Sequence, residues 1–287
     1  MNDTIHFSDY AVGFVDLLGQ KDEYRNQNLL PRFDSPQDEE VFKQKARKTI
    51  GAIYELQNAS RTFLDTALNP KSLIREWLPE EGKAIHDQMR ITALKIQMWS
   101  DGVVYFSSLG DTNVKVPMNA LFNIIAAIGS LCFLGLATKH PVRGGLEIAW
   151  GTELTPNNLY GCAVAKAYEL ESEIAQYPRI VVGPYFINRL QAYSNNSNSD
   201  TFAKLNKVYA DACLQLLLQD VDGHFIIHYL GNTFQKDFSS AIHQKLYDDA
   251  LRFIHTSLDK FRLEKNTKLS MRYMLLLNYF EDHRPYQ

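Results

Sequence analysis

Two aspartates lie in sequence settings where a carboxylate could hold a divalent cation. Asp16 lies within the apolar run AVGFVDLL (residues 11–18), where an ionised carboxylate is costly to bury without a partner. Asp101 precedes Gly102 at the tip of a predicted hairpin. If the two meet at one sheet edge they repel each other unless a cation lies between them, and Mg²⁺ prefers one or two carboxylates together with substrate phosphates. Taken singly, Asp101 is more simply a turn residue and Asp16 a capping or salt-bridged group.

Strands and a hairpin are predicted where they would bring these carboxylates together. Residues 11–18 predict a buried strand. Residues 92–109 alternate on both sides of Ser100-Asp101-Gly102, which predicts a β-hairpin. Further strands are predicted over residues 142–154 and 179–183, with a second hairpin over 214–230 around the turn at 220–223.

Helical spacing of apolar residues predicts the remaining elements. The predicted helices cover residues 38–68 (as one helix or two), 116–138, 160–177, and 238 to the end. One further helix is expected between the strand at 179–183 and the second hairpin, where residues 194–200 form a polar loop. Helices and antiparallel strand pairs alternate along the chain, so we expect an α+β fold with helices packed over a mainly antiparallel sheet. Residues 8–235 are predicted to form the sheet-containing domain, and residues 236–287 a C-terminal helical extension.

The segment 116–138 carries no charge and is long enough to span a bilayer. Asparagines, a serine, a proline and two glycines dilute it, and no polybasic flank orients it. A membrane span there would also separate the two aspartates from residues 143–183. We therefore expect a buried core helix.

Composition excludes several classes of function. The chain has 287 residues, with 30 basic and 33 acidic side chains, so no global positive charge predicts binding to nucleic acid or anionic lipid. The three cysteines lack metal-binding or disulfide spacing, which favours a reducing compartment. The N-terminus lacks the pattern of a secretory signal, so we expect a cytoplasmic location. The eight histidines are scattered, and His224 and His228 are expected to be ordinary strand residues.

Four motifs, in this order, resemble those of the class III nucleotidyl cyclases. They are FVDLLG (14–19), WSDG (99–102), VRGGL (142–146), and YG (160–161) leading into AYELE (167–171). More narrowly, they resemble the bacterial pyrimidine cyclases of the Pycsar anti-phage system. The resemblance covers about residues 10 to 235 and implies a ferredoxin-like, palm-type sheet. It also implies conversion of UTP or CTP to the 3′,5′-cyclic monophosphate, a second messenger in antiviral defence.

The resemblance further implies a metal site and a partner. Two Mg²⁺ or Mn²⁺ ions would be held by Asp16, Asp101 and the backbone carbonyl near Leu17, in the general two-metal arrangement. The site would form between the two subunits of a homodimer. Gln97 and Asn158 correspond to the base-reading positions. Both are amides suited to uracil or cytosine, whereas the purine cyclases carry Lys and Asp, or Glu and Cys.

The chain departs from the purine cyclases on the motif helix, where Ala165 and Glu169 replace an Asn and an Arg. Four cations are candidates to bind the phosphates instead: Lys166 and Arg143 for catalysis, and Lys21 and Arg179 for substrate binding. Lys166 could equally be a solvated surface lysine. The departure leaves open a catalytically inactive nucleotide-binding or dimerisation module. A diguanylate-type or polymerase palm enzyme is disfavoured, since SDG replaces the GGDEF-like hairpin.

Overall fold

The computed structural model describes residues 5–19, 30–67, 80, 83–84, 87, 94–110, 118–198, 200–232, 234 and 240–285. Within these ranges the protein has an α+β fold with a mixed, mostly antiparallel sheet, as predicted. The strands are β1 (Ser8–Leu17), β2 (Lys95–Trp99), β3 (Gly102–Ser108), β4 (Val142–Thr155), β5 (Asn158–Tyr160), β6 (Ile180–Val182), β7 (Leu217–Gln219) and β8 (Phe225–Ile227). The α-helices are α1 (Pro36–Ala67), α2 (Asn119–Ala137), α3 (Cys162–Glu169), α4 (Pro184–Ser194), α5 (Thr201–Gln215), α6 (Ser240–Leu263) and α7 (Thr267–Asp282).

Strand β1 lies inside the sheet, whose order is β2-β3-β1-β4-β6-β8-β7, with β5 paired to β4 outside this path. It pairs antiparallel with both β3 and β4, and β4 pairs parallel with β6. The hairpin predicted around Ser100-Asp101-Gly102 is confirmed by the β2–β3 ladder, while residues 92–93 lie outside the described residues. The second predicted hairpin is confirmed as β7–β8.

One face of β1 packs against α2, the uncharged helix. Ala11 and Val15 lie on this face, and a Cβ at Gly13 would approach Ile128 Cδ1 to 2.1 Å, so the helix lies close to the strand. Helix α2 is long and apolar enough to cross a membrane by length and composition, yet two thirds of it is buried by the rest of the fold. It is therefore the core helix that we expected; residues 116–117 of the predicted segment lie outside the described residues.

The opposite face of β1 packs against α3 and β5. Its apolar side chains form a second cluster with those of β3, β5 and α3: Tyr10, Val12, Phe14, Val104, Phe106, Leu159, Ala163, Val164 and Ala167. Gly145 of β4 lies opposite Phe14, and a Cβ there would lie 2.2 Å from the Ala167 carbonyl oxygen. The close packing of α3 on the sheet therefore requires a glycine at this position.

The structure corrects two predicted elements and decides an alternative that was left open for a third. The helix predicted over 160–177 begins at Cys162, because Tyr160 belongs to β5, and it ends in a π-helical turn (Leu170–Ile174). Two helices, α4 and α5, occupy the segment between β6 and the second hairpin, where one was expected. The helix predicted over 38–68 is the single helix α1, with residue 68 outside the described residues.

The C-terminal helices α6 and α7 pack on the same core as the sheet. Ile254 of α6 and Phe280 of α7 are fully buried in the cluster that also contains α2. The Tyr279 hydroxyl accepts a hydrogen bond from the Leu230 backbone N–H and bonds to His228 Nδ1 at 3.0 Å. Burial, together with His283, lowers the pKa of His228 to about 4, so this histidine is neutral at pH 7. The predicted C-terminal extension is thus helical and shares the core.

We predict opposite effects for one substitution at two glycines. Gly145→Ala should lower the free energy of unfolding by about 1–3 kcal/mol, because the added methyl group meets the backbone of α3. Gly51→Ala should raise it by up to about 1 kcal/mol, because Gly51 lies inside α1 with nothing near its Cβ position and alanine favours helix. Urea denaturation of both variants measures the difference. Equal effects would contradict the packing of α3 on Gly145.

Candidate active site

Asp16 and Asp101 lie at the same edge of the sheet. In the ladder Asp16 faces Gly102, the residue that follows Asp101, and the Leu17 N–H donates to the Asp101 carbonyl at 3.1 Å. Asp16 Oδ1 lies 3.7 Å from the position of a Cβ on Gly102. Both aspartates are half-buried. The strand and the hairpin therefore converge as the sequence predicts, and we call Asp16, Leu17 and Asp101 the carboxylate edge.

The carboxylate edge supplies a suitable but incomplete set of ligands for a hard cation. Its oxygens are the donors that Mg²⁺ and Mn²⁺ prefer. Among the described residues no group of three or more His, Cys, Asp or Glu side chains comes together. A cation at this edge would therefore complete its coordination with water or substrate oxygens, which is typical of Mg²⁺ bound with nucleotide phosphates.

Arg143 lies beside the carboxylate edge, and its guanidinium binds a buried glutamate. It faces Asp16 in the β1–β4 ladder, and its Nε donates to Glu171 Oε1 at 2.5 Å. The Glu171 side chain is 2% exposed and that of Arg143 is 16% exposed. The predicted phosphate-binding cation therefore also neutralises a carboxylate that is costly to bury alone.

A second arginine near this edge comes from the C-terminal helix α7. Arg272 donates to the Gln176 side chain, a neutral partner. Burial, and then repulsion by Arg143, lowers the pKa of Arg272. Sequence reasoning missed Arg272 because no motif surrounds it and α7 was only predicted as a helix.

The two predicted base-reading amides are in contact. Gln97 Nε2 donates to Asn158 Oδ1 at 3.2 Å, and the Leu159 N–H donates to Gln97 Oε1 at 3.0 Å. The end of β4 is tied to β2 by Lys95, whose Nζ lies 2.8 Å from both carboxylate oxygens of Glu153, and this brings β5 to Gln97. We call Gln97 and Asn158 the amide pair. It is solvent-exposed and keeps donors and acceptors for a ligand.

Two exposed aromatic rings lie close to the carboxylate edge. Trp99 and Tyr168 contact Phe14 edge-on, at ring-centroid distances of 5.6 and 5.4 Å. They are 42% and 49% exposed. Along the β2–β3 hairpin, Trp99 lies between Gln97 of the amide pair and Asp101 of the carboxylate edge. The surface between the two groups therefore includes an exposed aromatic ring. Neither ring was predicted as part of the site, because aromatic residues in strands and helices are usually core residues.

The structure does not bring Lys166 to the carboxylate edge. Lys166 Nζ lies 5.5 Å from the centre of the Tyr185 ring, and its charge acts on the Glu147 carboxyl. Glu147 faces Val12, four residues or ~13 Å along β1 from Asp16. Lys21, the other predicted lysine, lies outside the described residues.

The Arg179 guanidinium binds the β7–β8 turn. It is buried and donates to Asp220, to Asp222 and to the Ile174 carbonyl. The turn closes with a hydrogen bond from the Gly223 N–H to the Asp220 carbonyl, which confirms the predicted tight turn. These partners give Arg179 a structural role, and nothing in its placement supports the predicted contact with substrate.

No protein-family model, curated protein or solved structure matches this chain. The resemblance of its motifs to the class III cyclases therefore stays a prediction. Functional inference rests on the geometry of the carboxylate edge, the amide pair and the charges around them.

We predict that Arg143→Met lowers the free energy of unfolding by about 3–5 kcal/mol, because the buried Glu171 carboxylate loses its guanidinium. The double variant Arg143→Met/Glu171→Leu should recover most of this loss, because it removes both charges. Urea denaturation of the two variants and the unmodified protein measures the loss and its recovery. An unchanged midpoint for Arg143→Met would mean that its guanidinium is dispensable for folding.

Proposed function

We propose that this protein is a nucleotidyl cyclase that converts UTP or CTP into the 3′,5′-cyclic monophosphate and pyrophosphate. The observation that carries the proposal is the convergence of Asp16 and Asp101 at one sheet edge. Two carboxylate-bearing residues at one edge of the sheet can share a divalent cation and, through it, bind a polyphosphate. The motif resemblance supplies the reaction and the link to anti-phage defence in the cytoplasm.

The proposed reaction is an in-line displacement at the α-phosphorus. The ribose 3′-oxygen forms a bond to this phosphorus, the bond to the β-phosphate oxygen breaks, and the 3′-hydroxyl proton passes to solvent. Divalent ions bound by Asp16, Asp101 and the Leu17 carbonyl would supply charge neutralisation and a lowered pKa of the 3′-hydroxyl. No covalent protein intermediate is needed, which agrees with the lack of a nucleophile motif in the sequence.

The cations beside the carboxylate edge would compensate the charge of the departing pyrophosphate. Arg143 faces Asp16, and Arg272, which Arg143 repels, has a neutral partner. Fixed positive groups aimed at developing negative charge are usually a large contribution to catalysis. Arg272 is the better candidate for direct contact with phosphate, because Arg143 also binds Glu171.

We assign recognition of the base to the amide pair. Each amide offers donors and an acceptor, and uracil and cytosine each present both kinds of group on one edge. The Leu159 N–H and the contact between the amides fix the Gln97 side chain, so its remaining donor has a defined direction. This supports a pyrimidine substrate and does not by itself distinguish UTP from CTP.

We further propose that the site is completed in a homodimer, with the carboxylate edge of one subunit facing the amide pair of its partner. Trp99 and Tyr168 support this, because large exposed aromatic rings beside polar groups are typical of interaction surfaces. An isologous interface would create two equivalent sites.

Turnover is the direct test of the activity. Purified protein with each of the four nucleoside triphosphates and Mn²⁺ or Mg²⁺ should yield a cyclic monophosphate from UTP or CTP. Asp16→Asn and Asp101→Asn should each reduce the rate by at least about 100-fold, because each removes a metal ligand. Asp259→Asn, which changes an exposed aspartate of α6, is the matched control and should leave the rate unchanged. Product formation is followed by chromatography.

Two results would overturn this proposal. Cyclisation of ATP or GTP alone would contradict the pyrimidine assignment. Nucleotide binding without turnover at any divalent metal would favour the alternative, an inactive cyclase-like binding or dimerisation module. Ala165 and Glu169 favour that alternative, because both are exposed on α3 and neither supplies the amide or cation expected there.

Mixing two inactive variants tests the shared site. Asp101→Asn lacks a carboxylate, and Gln97→Ala/Asn158→Ala lacks the amide pair. If one site draws on both subunits, random heterodimers contain one intact site and a 1:1 mixture should recover about a quarter of the unmodified rate. Recovery requires subunit exchange, which size-exclusion chromatography of differently tagged variants verifies. Exchange without recovery would show that each site lies within one subunit.

A further inference from the structure

A cleft of about 800 Å³ lies between α3 and α4, above the β1–β4 pair. Its lining includes Asp9, Trp150, Cys162, Lys166, Tyr185, Asn188 and Arg189. We call it the α3–α4 cleft. Its volume lies within the range of small-molecule sites. Asp9 lies seven residues, or ~23 Å, along β1 from Asp16, so the cleft is distinct from the carboxylate edge of the same subunit.

Exposed aromatic rings line the cleft. Trp150 and Tyr185 are 48% and 57% exposed. The Trp150 indole contacts the Phe7 ring at 5.8 Å and packs against Gly161, where an added Cβ would lie 3.1 Å from the indole. These contacts hold the indole in place while one side remains accessible. A fixed, accessible indole is a stacking surface for a planar ring.

Lys166 supplies positive charge to the cleft. Among the described residues no carboxylate lies within ion-pair distance of its ammonium group, which is 5.5 Å from the centre of the Tyr185 ring. The nearby Glu147 carboxylate is buried and caps α4, because it accepts hydrogen bonds from the Phe186 and Ile148 N–H groups. Burial raises the pKa of Glu147, while its backbone hydrogen bonds and the charge of Lys166 lower it.

Arg189, the other cation of the cleft, is already paired. Its guanidinium lies 2.8 Å from the Asp9 carboxylate, on the exposed rim. The cleft therefore offers one ammonium without an ion pair, together with the amide of Asn188. One positive charge matches a single phosphate group. A triphosphate carries several negative charges and would need a metal ion or several cations.

We propose that the α3–α4 cleft binds a nucleotide with a single phosphate group, whose base stacks on the exposed aromatic rings and whose phosphate binds the Lys166 ammonium. The lining also includes Asn188, whose amide offers donors and an acceptor for a base edge or a ribose hydroxyl. This inference does not depend on the proposed cyclase activity. If that activity is present, its cyclic product has the required chemistry, one phosphate charge and a planar base.

Calorimetric titration of the full chain in EDTA tests the proposal, because chelation prevents metal-dependent binding at the carboxylate edge. The probes are cyclic UMP, UMP, UTP and uridine. Cyclic UMP and UMP should bind with one site per chain, and uridine should bind more weakly because it lacks the phosphate. UTP should bind no more tightly than UMP. Tighter binding of UTP, or no binding of either monophosphate, would overturn the proposal.

Variants locate the binding site. Lys166→Met should weaken the binding of cyclic UMP by about tenfold or more and leave uridine unaffected, because it removes a charge-assisted contact to phosphate. Tyr185→Ala should weaken both ligands through lost stacking. Lys204→Met changes an exposed lysine of α5 outside the cleft and is the matched control. Equal affinities for the Lys166 and Lys204 variants would contradict the assignment.

Two further measurements distinguish a misfolded variant from a lost binding site, and the failure of the cleft proposal from the failure of the cyclase proposal. Circular dichroism checks that each variant is folded. If Lys166→Met does not fold, the affinity of Tyr185→Ala, which changes an exposed side chain, tests the location of the site. Asp16→Asn should keep the affinity for cyclic UMP while it loses turnover. If Asp16→Asn loses turnover and still binds cyclic UMP, binding in the α3–α4 cleft is supported. If the unmodified protein is active but binds no monophosphate in EDTA, binding in the cleft is refuted and the cyclase proposal is unaffected.

Discussion

The position of the carboxylate edge depends on the register of β1 between β3 and β4. Because strand side chains alternate, a slip of one residue would turn Asp16 toward α2 and its apolar contacts. The apolar residues of β1 prevent this slip. Val15 is fully buried on the α2 side, and Val12 is fully buried on the α3 side, so either slip would expose or misplace core side chains on both faces. The hydrophobic pattern of the strand thus fixes the location of a polar group.

Charge balance connects this edge to distant parts of the chain. Arg143, which faces Asp16 in the β1–β4 ladder, neutralises the buried Glu171 carboxylate from the strand next to the edge. Arg272 supplies a second cation from α7, which packs on the shared core. The C-terminal helices therefore contribute charge as well as apolar contacts. The predicted domain boundary near residue 236 therefore separates parts of the chain that pack on one core.

The sequence predicted those elements whose signal is local. A short apolar run predicted β1, alternation predicted the β2–β3 hairpin, and an uncharged run predicted α2. It missed β5, which has three residues and no usable periodicity, and the division into α4 and α5. The partners of Arg179 and Arg143 were not predictable from spacing, because Asp220, Asp222 and Glu171 are remote in the sequence and only the fold brings them together.

The placement of Lys166 follows from helix geometry and from the close packing of α3. Residues two positions apart lie about 200° apart around an α-helix, so Lys166 and Tyr168 must point to different sides. The structure puts Tyr168 against Phe14 and Lys166 toward Tyr185. Helix α3 cannot rotate to exchange them, because Ala163 and Ala167 are fully buried and the Ala167 carbonyl leaves no space above Gly145. One rigidly packed helix therefore presents Tyr168 beside the carboxylate edge, on Phe14, and Lys166 to the α3–α4 cleft.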